Sequence, residues 1–362
     1  MVTQKGLCEI CFPKQWKTIS SDMLLDSGYP VYGANGVIGY YSEFNHTKRT
    51  LLITCRGATC GNLNICEPYS YVNGNAMALD ELSDDIDIQY LYYYLQYRGF
   101  VDVITGSAQP QIVRQSLEKV QVIYPEIDRQ KEVIITLDKV GNLISFRKQQ
   151  LTKLDELVKA RFVEMFGENT YLHQNLIDLI VDGAGLSYGI VQPGDDGTGS
   201  MGVLRPVDLI DGVISEKSIK YIDRSIGDSF KKTELNGNEL LITVRGTTGI
   251  TALTDSRFVG MNVTRGIAVI RYDDTKINPV YLNEYFKTDE SQNYIQEHTR
   301  GATLQQINLS DLRVQQILVP PRKMQDRFSV FVATIGKSKL TIQQSLDKLE
   351  VLKKSLMQEY FG

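Results

Sequence analysis

The chain has 362 residues, 42% hydrophobic and 23% charged, with a formal charge of −4 at pH 7. That length is too great for one typical core and predicts two domains. No apolar run approaches the ~20 residues of a membrane-spanning helix and no signal-peptide core follows Met1, so a cytoplasmic protein with no membrane role is expected. Residues 1–125 carry 9 basic against 12 acidic side chains, and residues 168–320 carry 14 against 20. Residues 126–167 carry 8 against 7, and residues 321–362 carry 8 against 4. Such a balance excludes non-specific polyanion binding by charge alone, since that affinity comes from neutralised phosphates.

Residues 1–125 read as a strand-rich globule. The runs Thr50-Leu-Leu-Ile-Thr54 and Val120-Gln-Val-Ile-Tyr124 are rich in β-branched and aliphatic residues and end at Gly, Asn or Pro. One helical stretch stands out, from Ile88 to Phe100. All five cysteines (Cys8, Cys11, Cys55, Cys60 and Cys66) fall in this region. An odd number argues against a disulfide framework. Cys8-x-x-Cys11 has no second pair at ligand spacing, so buried free thiols are expected and no metal site is assigned.

Pro125 opens a helix predicted to run to Phe166. Val133, Leu137, Val140, Ile144, Arg147, Leu151, Leu154, Val158, Arg161 and Met165 alternate spacings of four and three, the mark of a coiled-coil seam. Residues 168–320 then read as a second globule. Its helix is expected from Val280 to Tyr294, with Asn278-Pro279 as its start signal. A last helix follows over 321–362, with Phe328, Val332, Ile335, Lys339, Ile342, Leu346, Leu349, Lys353, Leu356 and Tyr360 on the seam.

The two globule-plus-helix segments are copies of one another. Leu51-Leu-Ile-Thr-Cys-Arg-Gly57 returns as Leu240-Leu-Ile-Thr-Val-Arg-Gly246. Gly106-Ser-Ala-Gln-Pro-Gln-Ile112 returns as Gly301-Ala-Thr-Leu-Gln-Gln-Ile307, and Pro125 and Gln130 return as Pro320 and Gln325. Glu164-Met-Phe-Gly167 matches Glu359-Tyr-Phe-Gly362, so from Gly106 onward the offset is a constant 195. That period far exceeds the 20–50 residues of a solenoid repeat. It predicts an α+β chain with an internal pseudo-two-fold repeat, in which two strand-rich globules are separated by two long antiparallel coiled-coil helices acting as a spacer. The expected boundaries are 1–125, 126–167, 168–320 and 321–362. The first copy has 50 residues before its Leu-Leu-Ile-Thr run, against 72 between Gly167 and Leu240. A leading helix like that expected over 172–181 is therefore predicted to be missing or altered in the first copy.

No catalytic signature emerges. Ile335-Gly-Lys-Ser338 has Phe331 where a phosphate loop needs its first glycine, and it lies mid-helix. Gly183-Ala-Gly-Leu-Ser-Tyr188 has Tyr at the third glycine of a dinucleotide fingerprint. His46, His173 and His298 show no repeating ligand or triad pattern.

The Arg-Gly turns differ in kind from these. Arg56 with Thr59, and Arg245 with Thr247 and Thr248, can donate to phosphates or base edges, and glycine lets a backbone approach closely. Taken alone, each segment would read first as a tight turn with its Arg paired to a local carboxylate. A second cluster holds amides suited to adenine readout: Gln109 and Gln111 in the first copy, and Thr303, Gln305 and Gln306 in the second. Asn73 and Asn75 have counterparts in Asn262 and Arg265. Asn35 in the first copy, and Gln192 and Arg205 in the second, complete the candidates.

The doubled Leu-Ile-Thr-x-Arg-Gly turn, the Gly-x-x-x-x-Gln-Ile loop and the Pro-x-x-x-x-Gln opening of each heptad helix together resemble the specificity subunit of a type I restriction–modification enzyme. The resemblance spans essentially the whole chain. It implies two target-recognition domains, each reading one half of a bipartite double-stranded DNA site, with no catalysis in this chain. It also implies two adenine methyltransferase subunits that use S-adenosylmethionine, and two translocase–nuclease restriction subunits that use ATP and Mg. The spacer seam would then centre on Leu137, Ile144, Leu151 and Val158, facing Val332, Ile342, Leu346 and Leu349. The rival class is a scaffold that holds two modules apart and binds no DNA.

Overall fold

Leu51, Leu52 and Ile53 form an uninterrupted apolar run, as suits a strand buried on both faces. A computed structural model, which describes residues 2–106, 109–167, 171–194, 199–210, 212–302 and 304–362, places them in the strand Thr50–Thr54, buried throughout. Side chains alternate across a strand. Leu51 and Ile53 accordingly enter one core, while Leu52 packs with Tyr32, Val72, Ala76 and Ala78 in another. Leu240–Thr243 repeats the arrangement, with Leu240 and Ile242 in one core and Leu241 in a second.

The chain divides into two units, residues 1–149 with 342–362, and residues 150–341. In the first, Phe12–Gln15, Ala76–Asp80, Thr50–Thr54 and Leu63–Cys66 form an antiparallel sheet in that order. A smaller sheet runs Gly36–Tyr41, Tyr29–Gly33, Tyr71–Val72, its last pair parallel. Val2–Gly6 pairs with Gln121–Pro125. In the second unit the larger sheet runs Ser187–Tyr188, Ile267–Ile270, Leu240–Thr243, Thr251–Leu253. The smaller runs Lys220–Ile222, Met201–Leu204, Asn262–Val263, again ending in a parallel pair, and Leu172–Asn175 pairs with Gln316–Val319. The same three sheets are built twice in the same order.

Two expectations change. Residues 172–181 hold no leading α-helix: Leu172–Asn175 is a strand and Leu176–Leu179 a single 3-10 turn. Its counterpart is present in the first copy as the strand Val2–Gly6 followed by the turn Leu7–Ile10. The greater length of the second copy lies instead inside the globule. Leu209–Ile210 and Val213–Ile214 pair as an added hairpin between two strands whose counterparts are joined by the two-residue turn Ala34-Asn35. The helix expected over 280–294 is two helices, Pro279–Tyr285 and Asp289–His298. Thr288 caps the second through Ser291, and the acidic Asp289 and Glu290 favour a fresh start there.

The long helices are Ile127–Phe166 and Arg322–Phe361, each of 40 residues, or ~60 Å at 1.5 Å per residue. In the first unit Val133 and Leu137 share a core with Met357, and Leu356, Tyr360 and Phe361 pack on it. In the second, Val158, Phe162 and Phe166 share a core with Phe328 and Ile335. The start of each helix thus packs with the end of the other, which is antiparallel pairing. Ion pairs flank it: Lys148 to Glu350 at 3.2 Å and Lys339 to Asp155 at 2.6 Å. Every heptad position named above is buried or half-buried. Phe146 and Val163, off the seam, are 59% and 63% exposed.

The repeated glutamine five residues into each Pro-x-x-x-x-Gln segment is a joint. Gln130 is fully buried; its amide donates to the carbonyls of Pro125 (2.8 Å) and Asp85 (2.9 Å), and its carbonyl accepts from the Asp87 N–H at 2.8 Å. Gln325 donates to the Pro320 carbonyl at 2.7 Å and accepts from the Asn278 N–H at 2.8 Å. Asp87 and Asn278 are the N-caps of Ile88–Arg98 and Pro279–Tyr285. Each long helix is therefore tied at its first turn to the capping residue of its globule's helix.

Candidate nucleic-acid interface

The strand Thr50–Thr54 ends in a backbone hub at Cys55. Its N–H donates to the Asn75 carbonyl (3.1 Å), and its carbonyl accepts from the Ile112 N–H (3.0 Å). Val244 holds the same place after Leu240–Thr243, donating to the Gly266 carbonyl (2.8 Å) and accepting from Ile307 (3.1 Å). Three loops distant in sequence thus converge on one residue in each unit.

The next residue in each copy is the arginine. Arg56 pairs across to Gln111 and Arg245 to Gln306 in isolated antiparallel bridges, and the same glutamines bridge to Thr105 and Arg300. Gly57 then donates to the Pro110 carbonyl at 3.0 Å, and Gly246 to the Gln305 carbonyl at 2.9 Å. Their φ angles of 87° and 80° lie where glycine alone is unstrained. The turn and the glutamine loop, separate motifs in the sequence, form one bridged element in each unit.

The side chains differ between copies. Arg56 is exposed, whereas the Arg245 Nε donates to the Gln306 side-chain carbonyl at 2.5 Å. Asn75, Gln109 and Gln111 are exposed around the first element, and Thr247, Arg265 and Gln305 around the second. The Thr54 hydroxyl donates to the Ala34 carbonyl, bringing the exposed Asn35 turn alongside. The Arg265 N–H donates to Ile190 at 2.9 Å, two residues before the exposed Gln192. Thr59 is half-buried within its turn. Thr303 lies outside the described residues.

Other candidates are held within the fold. Asn73 is 4% exposed; its carbonyl accepts from the Gly74 and Ile19 N–H groups, and its amide donates to the Ile19 carbonyl. Asn262 is fully buried, accepting from the Thr233 hydroxyl (2.8 Å) and the Val263 N–H, and donating to Phe230. Both hold the loop that meets the hub. Thr248 is buried against the Thr299 hydroxyl at 3.0 Å. Arg205 is clasped by the buried Asp208 at 3.2 Å and by the Ser218 carbonyl. Sequence reasoning passed over Asn62, Asn64 and Gln96, amides beside the first element. A comparison with Ile250 and Ala252, their partners in the second copy, is the signal that exposes the first two.

The five cysteines are free thiols, and burial pushes the Cys11 thiol up to about 12. Among the described residues no cluster of three or more His, Cys, Asp or Glu could hold a metal ion, and no helix is long and apolar enough to cross a membrane.

The described residues thus form a doubled α+β globule with paired long helices and a bridged polar loop element in each copy. The family model of the type I restriction modification DNA specificity domain matches residues 1–156 and 211–352, and the chain belongs to that family. It is 21% identical over 323 residues to the type I restriction enzyme EcoBI specificity subunit of Escherichia coli, covering 82% of this chain and 65% of that one. The MjaIX specificity subunit of Methanocaldococcus jannaschii is 22% identical over 337 residues, covering 86% of this chain and 76% of that subunit. The EcoprrI specificity subunit of Escherichia coli is 30% identical over 115 residues, covering 32% and 28%. In fold, the chain is similar to the S subunit of a type I restriction–modification system from M. genitalium, with a TM-score of 0.59 at 13% identity, covering 100% of this chain and 96% of that one. A chain from a structural study of type I R-M complex assembly and conformational transition gives 0.54 at 13% identity, covering 99% and 97%.

Proposed function

We propose that the chain is the sequence-reading subunit of a type I restriction–modification complex in the cytoplasm. Each unit reads one half of a bipartite double-stranded DNA target, and the paired helices set the gap and dock two methyltransferase subunits. Those subunits bring S-adenosylmethionine and methylate an adenine in each half-site. Two restriction subunits bring ATP, Mg and cleavage. The chain itself is not an enzyme.

The observation that carries this reading is the bridged Arg-Gly/Gln element, built twice by the same backbone bonds. Arginine and amide side chains around a rigid turn suit phosphate and base-edge contacts. The globules' acidic balance fits a reader whose partners supply much of the phosphate neutralisation. The test is methylome sequencing of cells that express this chain with its methyltransferase subunit. A bipartite methylated motif absent without the chain is expected. A methylome unaffected by its deletion, or methyl transfer to DNA by the purified chain alone, overturns the assignment.

A further inference from the structure

Beside the bridged element the first unit has an open groove of about 480 Å³. Its walls are the start of the edge strand Leu63–Cys66, the turn before it, the helix face with Leu95 and Gln96, and the tip at Asn35. Among the described residues no charged side chain lines it. Asn35, Asn62, Asn64 and Gln96 line it, and their side-chain amides make no hydrogen bond among the described residues.

The second unit shows what the same place holds when it is filled. Gly61 and Gly249 donate to the carbonyls of Thr54 and Thr243, and Asn62 and Ile250 accept from the same two threonines. Asn64 faces Leu52 as Ala252 faces Leu241, so the two edge strands correspond. In the second unit that edge is covered. Leu209 and Ile214 of the added hairpin pack with Ala252, and Gln292 donates to the Gly249 carbonyl at 3.1 Å. Thr251 and Ala252 are buried, whereas Leu63, Asn64 and Ile65 are only half-buried. The hairpin occupies the place of the two-residue turn Ala34-Asn35. One copy covers its sheet edge with its own chain, and the other leaves it open.

We propose that the groove of the first unit receives an extended segment of a partner polypeptide, supplied by a methyltransferase subunit. This rests on the assembly proposed above. A bare edge strand offers backbone groups to an incoming strand. Unpaired amides suit peptide N–H and C=O groups, and the half-buried Leu63 and Ile104 offer apolar contact. A nucleic-acid strand is disfavoured because no described residue lining the groove is a cation that could neutralise a phosphate.

Hydrogen exchange of the full chain tests this, measured alone, with purified methyltransferase subunit, and with duplex DNA. Exchange in Leu63–Cys66 should slow about tenfold or more on adding the subunit and stay unchanged with DNA alone, while Thr251–Leu253 is slow throughout. Gln96→Trp, at an exposed helix position, should fill the groove and weaken methyltransferase binding about tenfold, the scale of one lost anchor, with no change in melting temperature. Unchanged exchange in the complex, protection by DNA alone, or unaltered affinity of Gln96→Trp overturns the proposal. Should that variant not fold, exchange in the unaltered chain decides. Normal bipartite methylation without protection of Leu63–Cys66 sinks the groove assignment and leaves the proposed function standing.

Discussion

At the scale of single residues, the two arginines occupy the same backbone position with different freedom. Arg56 is exposed, while Arg245 is braced by Gln306. If each contacts one half of the target, Arg245→Ala weakens binding by roughly 1–3 kcal/mol, with the loss confined to one half-site, and Arg56→Ala acts on the other. Competition with half-site mutants reads this directly; equal loss at both halves, or none, leaves the turns purely structural. Asp85 gives a second prediction, on stability. Hydrogen bonds from Ser83, Lys5 and Tyr124, in that order of effect, hold its carboxyl down at about 2. A depressed carboxylate stabilises the fold above its unfolded value of about 3.9, and that contribution is lost as pH falls through the folded value. The stability difference between the chain and Asp85→Asn should therefore be constant from about pH 5 to 7 and shrink below about pH 4. It should be small, because the Asp85 side chain is 47% exposed and screened by water. Chemical denaturation at stepped pH measures it, and a difference that grows toward acid contradicts the sign.

At the scale of elements, the two glycines of each bridged pair are needed for different reasons. Gly57 and Gly246 have positive φ, but an added methyl would touch nothing within 4 Å. Alanine there costs only backbone strain, about 1–2 kcal/mol. Gly106 and Gly301 also have positive φ, and their added methyls would strike the carbonyl oxygens of Gln109 and Leu304. Gly106→Ala and Gly301→Ala should therefore lower the melting temperature more than Gly57→Ala and Gly246→Ala. Equal shifts would mean that the loop backbone relaxes freely. What the sequence discloses about these elements follows from range. The heptads and the period-two strands are local patterns, legible because side-chain direction repeats every 3.6 or 2 residues. The doubled motifs were legible as repeats, but the bridge from Arg56 to Gln111 was not, since 54 residues of chain intervene. Asn73 and Asn262 carry the same amide whether it faces water or a neighbouring backbone, and only the tertiary fold turns them inward. The strand at Leu172–Asn175 was hidden because its partner, Gln316–Val319, lies at the far end of the globule's sequence.

At the scale of the whole molecule, the two long helices belong partly to each unit, so a change in their length reaches both. Adding one heptad to each, between Lys148 and Leu154 and between Gln343 and Leu349, keeps the seam in phase. Within each unit the helix ends, with Val133 and Met357 in one core and Phe162 and Phe328 in the other, stay untouched. Seven residues add ~10 Å at 1.5 Å per residue, and DNA rises ~3.4 Å per base pair along each strand. If the helices set the gap and lie along the duplex, the lengthened chain should methylate the same two half-sites at a spacing greater by at most ~3 base pairs, and by less if they tilt. The half-sites should not change, because no loop of the bridged elements is altered. A scaffold that binds no DNA predicts no change in the methylome at all. Methylome sequencing of cells carrying the lengthened chain separates these outcomes: an unchanged gap with full activity would mean that something other than the helices measures the target.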